Sequence, residues 1–193
     1  AGPSEVCVMA DDTANPVFVA ADLLSQSEHG TDSQVLLVST SEVMINAVLA
    51  ETDKQLKKLP RKELAAKALE NSKAILLKDV NEMIELVNEY AAEHLIISCR
   101  DEDSIAEKII NAGSVFLGNY SPESVGDYAS GTNHTLPTNG YAKAYSGVSV
   151  DSFVKKITYQ KLTQEGLKNI GKAVEVMAEA EGLQAHAEKV RKR

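Results

Sequence analysis

Apolar residues in this chain fall into short continuous runs separated by longer stretches with helical spacing, and the two patterns alternate. Glu5-Val6-Cys7-Val8-Met9-Ala10 opens as a strand. Asn15 followed by Pro16 gives a helix N-cap with proline at the first helical position, and Gly30 is the expected stop. Residues 34–39 form a second strand whose run is continuously apolar, as expected where both faces of a parallel sheet are covered. Helical spacing follows over 41–59 and 61–71, broken by Pro60. Residues 74–77 read as a third strand, and Asp79 starts a helix running to about Ala92. A fourth strand covers 94–98, a helix 101–111, and a fifth strand 114–117. Strands alternating with helices of this length predict βαβ units. The expected fold is α/β: a mostly parallel sheet of about five strands with flanking helices, Rossmann-like but incomplete.

After Gly147 the character changes. Leu167, Ile170, Val174 and Met177 make a one-faced helix ended by Gly182, and Leu183, Ala187 and Val190 mark a shorter second helix. The expected division is an α/β domain over 1–146, carrying the chemistry, and a helical tail over 147–193. That tail lacks a core of its own and is expected to pack on something else, another subunit being one candidate.

Composition narrows the function. At 193 residues and 44% hydrophobic, the chain can bury a core as one domain with a small appendage. A formal charge of −8 argues against a nucleic-acid or anionic-membrane partner. The basic cluster Arg191-Lys192-Arg193 reads as favourable charge at a helix C-terminus. No apolar run approaches the ~20 residues that cross a bilayer. Cys7 and Cys99 sit at strand positions and read as buried thiols of a reduced, cytoplasmic protein. The chain opens Ala1-Gly2-Pro3-Ser4 without methionine, which reads as the middle of a longer polypeptide, so targeting of the parent is not visible.

The chemistry concentrates elsewhere. Residues 121–140 are polar, punctuated by glycine, and carry Asp127 and His134; such a loop does little for a core. Gln26 and His29 lie three apart at the end of the first helix, a spacing that suits two ligands of one metal or, equally, a surface polar contact. With Asp127 and His186 they would make an N/O set suited to Zn²⁺, the amide oxygen being an unusually weak ligand. Glu93 and His94 sit where a helix gives way to a strand, so a carboxylate and an imidazole can reach one cleft for water activation and proton transfer. A helix-terminal Glu beside a strand-edge His is the plainer alternative. His134 either holds a polar substrate group or is satisfied by backbone, and Glu181 matters only through its nearness to His186. There is no Gly-x-Gly-x-x-Gly, Walker loop, Cys-x-x-Cys or Gly-x-Ser-x-Gly.

Taken in order, several segments resemble one family, histidinol dehydrogenase. They are Ala1-Gly2-Pro3-Ser4-Glu5-Val6, Asp22-Leu23-Leu24-Ser25-Gln26 with Glu28-His29-Gly30 and Asp32-Ser33-Gln34, Glu93-His94-Leu95-Ile96, Gly113-Ser114-Val115-Phe116, residues 124–134, and Glu181-Gly182-Leu183 with His186. The likeness covers essentially the whole chain but only the C-terminal part of that longer enzyme.

The resemblance implies oxidation of L-histidinol through histidinaldehyde to L-histidine with two NAD⁺, in a cytoplasmic enzyme or, in plants, a plastid one. It implies zinc ligands at Gln26, His29, Asp127 and His186, a water-activating Glu93 and a general base His94. Substrate contacts would fall on Ser4, His134 and Glu181, with the four zinc ligands also around the substrate. It further implies a homodimer whose swapped tail completes the partner's site, most of the NAD site lying outside this chain, and little turnover by the chain alone. One departure is visible: Ala92 stands where the family usually has proline, leaving that turn less constrained. Two other readings stay open, a non-catalytic zinc-dependent dimerisation module and, more weakly, a zinc hydrolase using Glu93 as base.

Overall fold

The computed structural model describes residues 3–193; Ala1 and Gly2 of the opening motif lie outside the described residues. The chain divides into two compact units, one running through Phe153 and the other Val154–Arg193.

The first unit is an α/β sandwich around a five-stranded sheet in the order β3-β2-β1-β4-β5. The strands are β1 (Glu5–Ala10), β2 (Gln34–Ser39), β3 (Lys73–Leu76), β4 (His94–Ser98) and β5 (Ser114–Leu117). Every pairing is parallel, with Glu5 opposite Gln34 and Val6 opposite His94. Side chains alternate between faces along each strand. Val6, Val8, Leu37 and Ile96 therefore pack against one set of helices, and Cys7, Met9, Leu36 and Ile97 against the other. Both faces are covered, which explains why the central strands read as unbroken apolar runs. Cys7 and Cys99 are free and buried, and burial pushes the Cys99 thiol up to about 12.

The helices are α1 (Pro16–Ser27), α2 (Glu42–Leu56), α3 (Lys62–Glu70), α4 (Val80–Tyr90), α5 (Glu102–Ala106) and α6 (Glu123–Tyr128). The Asn15 side chain caps α1 by accepting from Val17 N–H at 3.0 Å, with Pro16 at the first position.

Three expectations need correction. First, Gly30 does not stop α1. The helix ends at Ser27, and Gly30 is not among the positive-φ glycines, so His29 lies on the turn beyond the helix instead of sharing its last turn with Gln26. Second, α5 ends at Ala106, because the Asn88 side chain accepts the backbone N–H groups of Ile110 and Asn111 at 2.8 and 3.2 Å and draws the chain out of the helix. Third, the stretch read as loop over 121–140 contains α6. Gly126 lets that helix sit against Phe116; an added Cβ would lie 2.6 Å from a ring carbon.

The second unit consists of α7 (Gln164–Ala180) and α8 (Gln184–Arg191) preceded by irregular chain. Gly182, at φ 74°, ends α7, with Leu183 N–H donating to the Ala178 carbonyl at 2.8 Å, a Schellman stop. Arg191 holds the hairpin of helices together through Glu175, Glu179 and Glu188. Ile170, Val174 and Met177 of the predicted apolar stripe remain exposed.

Candidate functional site

The amino ends of the central strands carry the chemistry. Ser4 precedes β1, Glu93 precedes β4 and His94 is its first residue. The last turn of α1 supplies Gln26 and the following turn His29, while α6 faces them with Glu123 and Asp127, four apart on one side of the helix. With Tyr128 and His134, these residues line one pocket of about 410 Å³.

Glu5, the first residue of β1, organises the pair beside it through its backbone. Its N–H donates to Glu93 Oε2 at 3.0 Å, and its carbonyl stands 3.0 Å from His94 Nδ1. A carbonyl only accepts, so Nδ1 carries the proton and the neutral ring presents a bare lone pair at Nε2. Nε2 is buried with no partner among the described residues. Burial lowers the His94 pKa, against the Glu5 hydrogen bond, which keeps the ring neutral near pH 7. The Glu5 carboxylate accepts Asn139 N–H at 3.0 Å, tying down the loop that follows His134.

Carboxyl groups crowd the pocket. Burial raises Glu93 to about 7 and Glu123 to about 8, the latter also repelled by Asp127, Glu93 and Asp22. Burial likewise lifts Asp22, one turn before Gln26, to about 7. Groups held this way call for a positive charge among them. Ligand atoms of His94, Glu123 and Asp127 lie within 4.8 Å of one another, a spacing that can hold a metal ion.

The far end of the sheet differs. In open α/β sheets nucleotides usually sit beyond the carboxyl ends of the strands, on the turn into the first helix. Here the Asp11 carboxylate occupies that turn, accepting from Thr13 N–H and from Arg100 N–H, each at 2.8 Å. Those two donors are satisfied internally and Asp12 pairs with the Arg100 guanidinium at 3.5 Å, so the turn offers neither its amides nor that cation to a dinucleotide pyrophosphate.

The family profile described as histidinol dehydrogenase matches residues 1–193. This chain belongs to the histidinol dehydrogenase family. It is 64% identical over 186 residues to a histidinol dehydrogenase of Bacteroides thetaiotaomicron, covering 96% of this chain and 44% of that protein. It is 59% identical over 187 residues to the chloroplastic histidinol dehydrogenase of Arabidopsis thaliana, covering 96% of this chain and 40% of the relative. A crystal structure of histidinol dehydrogenase from Elizabethkingia anophelis superposes with a TM-score of 0.93 at 59% identity, over 99% of this chain and 44% of that one. The chain thus spans less than half the length of the relatives it matches.

Of the residues that the histidinol dehydrogenase resemblance singles out, Ser4, Gln26, His29, Glu93, His94, Asp127 and His134 line this one pocket. Glu181 and His186 belong to the second unit, Glu181 as the C-cap of α7 and His186 in the first turn of α8. Sequence reasoning missed Glu123. Its signal was the Glu-x-x-x-Asp spacing to Asp127, which becomes meaningful only once 123–128 is known to be helical.

Among the described residues, no helix is long and apolar enough to cross a membrane.

Proposed function

We propose that this chain supplies the acid–base, substrate and zinc residues of an NAD-dependent dehydrogenase that converts L-histidinol through histidinaldehyde to L-histidine. The observation that carries this reading is His94. Its Nδ1–H is committed to the Glu5 carbonyl, and its Nε2 is buried and bare in a pocket that Glu93, Glu123 and Asp127 also line. In the first oxidation His94 Nε2 accepts the proton of the substrate hydroxyl. In the second, Glu93 takes a proton from the water that adds to the aldehyde. Its pKa near 7 suits a group that must take up and release a proton at neutral pH. Ser4 and His134 contact the substrate from the pocket wall.

Zinc fits the site. The donors are imidazole, carboxylate and amide, as that ion accepts, and the buried Glu93 and Glu123 carboxyl groups beside them favour a cation. Gln26, His29 and Asp127 of this chain would hold it, with His186 and Glu181 arriving from the swapped tail of a second copy in a homodimer. When bound, zinc orients the imidazole and amine of the substrate and neutralises the carboxylates. The exposed Ile170, Val174 and Met177 stripe on α7 supports a tail that docks on a partner. The turn after β1 does not fit NAD, and we place most of the NAD site in the part of the family's sequence that this chain does not span. In a bacterium the enzyme would be cytoplasmic, in a plant plastidic.

The test joins this chain to the amino-terminal region its relatives carry and measures histidinol-dependent NADH formation. Zinc-dependent turnover is expected. Dimers that bind zinc without turnover would favour the dimerisation module instead.

A further inference from the structure

The zinc reading leaves one oddity, an amide at position 26, where a carboxylate would be the stronger ligand. Gln26 is 1% exposed, so both ends of its carboxamide need partners. In one orientation Oε1 faces the Glu123 carboxylate, acceptor against acceptor, and Nε2 makes only a 3.5 Å approach to the Glu5 carbonyl. In the other, Nε2 donates to Glu123 Oε1 and Oε2 at 3.1 and 3.2 Å while Oε1 accepts from Glu5 N–H at 3.1 Å. With Glu123 ionised, as a bound cation would hold it, the second satisfies both ends, the Glu5 N–H being shared between Gln26 Oε1 and Glu93 Oε2, and it assigns the amide.

We propose that Glu123 is a positioning residue for Gln26: its carboxylate takes the carboxamide N–H and leaves the oxygen as the only end of that side chain able to meet a cation. The proposal rests on the zinc reading above. Hydrogen bonding of a ligand's far end to a second carboxylate orients the ligand and makes its donor atom more basic, which offsets the weakness of an amide oxygen. It also explains why an amide stands here. A glutamate at position 26 would set a second carboxylate against Glu123 in a buried site already holding Glu93 and Asp127. Glu123 is itself 5% exposed, and α6 holds it on the same side as Asp127, so the helix that brings one candidate ligand also fixes the orientation of another.

The experiment uses this chain with two variants, Glu123→Ala and Glu123→Gln, each checked for folding by far-ultraviolet circular dichroism. The glutamine variant keeps an oxygen that can accept from Gln26 while losing the charge. Without metal, the side-chain ¹H–¹⁵N signals of Gln26 should show two well-separated, slowly exchanging protons in the parent chain and in Glu123→Gln. In Glu123→Ala they should collapse toward free-amide values. Titration with Co²⁺ alone, followed by its visible absorption, should show affinity about 10–100-fold weaker for Glu123→Ala, with a much smaller loss for Glu123→Gln. Equal losses in the two variants overturn the proposal, since Glu123 would then act through its charge or as a ligand. Gln26 signals that ignore both substitutions overturn it as well. If the signals behave as expected but the parent chain takes up no Co²⁺, the zinc reading fails and the positioning role falls with it.

Discussion

The Nδ1–H of His94 donates to the backbone carbonyl of Glu5 at 3.0 Å, and this one bond decides which nitrogen of the ring is available for chemistry. His94→Asn, in the enzyme completed with the amino-terminal region of its relatives, should keep an Nδ2–H for the Glu5 carbonyl while removing the base. The expected result is a fall in kcat of roughly 10²–10⁴-fold with zinc content unchanged. Metal analysis beside steady-state kinetics checks it; loss of zinc with turnover preserved contradicts the assignment of His94 as base.

The carboxyl groups lining the pocket, with Asp22 near Glu123, set a pH dependence on stability. Asp22 and Glu93 are raised to about 7 and Glu123 to about 8 by burial, so each prefers to be protonated in the folded chain. Raised pKa values contribute stability that is complete below the unfolded values and is lost as pH climbs through the folded ones. The metal-free chain should therefore melt at lower temperature at pH 8.5 than at pH 6.5, a window above most of the opposing titration of His94. Adding Zn²⁺ at the higher pH should restore the midpoint. Differential scanning calorimetry reads both; a midpoint that rises with pH in the metal-free chain refutes the burial argument.

Gly126→Ala tests how α6 is seated. Its new Cβ would meet Phe116 at 2.6 Å and the Thr132 hydroxyl at 2.7 Å, so the helix must shift. A loss of about 1–3 kcal/mol is expected from such overpacking, measured by urea unfolding, together with weaker metal uptake because Glu123 and Asp127 move with the helix. An unchanged midpoint would mean that Phe116 has room to turn aside.

Asn88→Ala should release the chain after α5. The Asn88 side chain accepts two backbone N–H groups and donates to the Lys108 carbonyl at 3.0 Å. Each unmade bond costs about 1 kcal/mol, and amide hydrogen exchange at Ile110 and Asn111 should accelerate. Exchange that stays slow there would show that the loop is held by its own packing.

The sheet was legible because hydrophobic runs, Asn15-Pro16 and the Asp79 cap are local signals that the tertiary fold does not override. The ends of α1 and α5 were not. Gly30 adopts no left-handed backbone, and the partner that stops α5 comes from a different helix, which no reading of neighbours reveals. Seven of the residues that the family motifs single out line one pocket, while Glu181 and His186 lie in the second unit. The physics of that pocket was not legible: the tautomer of His94 is set by a residue 89 positions away, and Glu123 matters only because a six-residue helix turns it inward.

Asp11 gives the first unit a lasting asymmetry. Its carboxylate answers Thr13 N–H in its own turn and Arg100 N–H after β4, so those two amides are taken where many proteins of this architecture seat a phosphate. Removing the Asp11 carboxylate would strand those donors while Asp12 kept its hold on the Arg100 guanidinium. The opposite edge, where the strands begin, is the one that gathers Glu93, His94 and Asp127 into a single pocket.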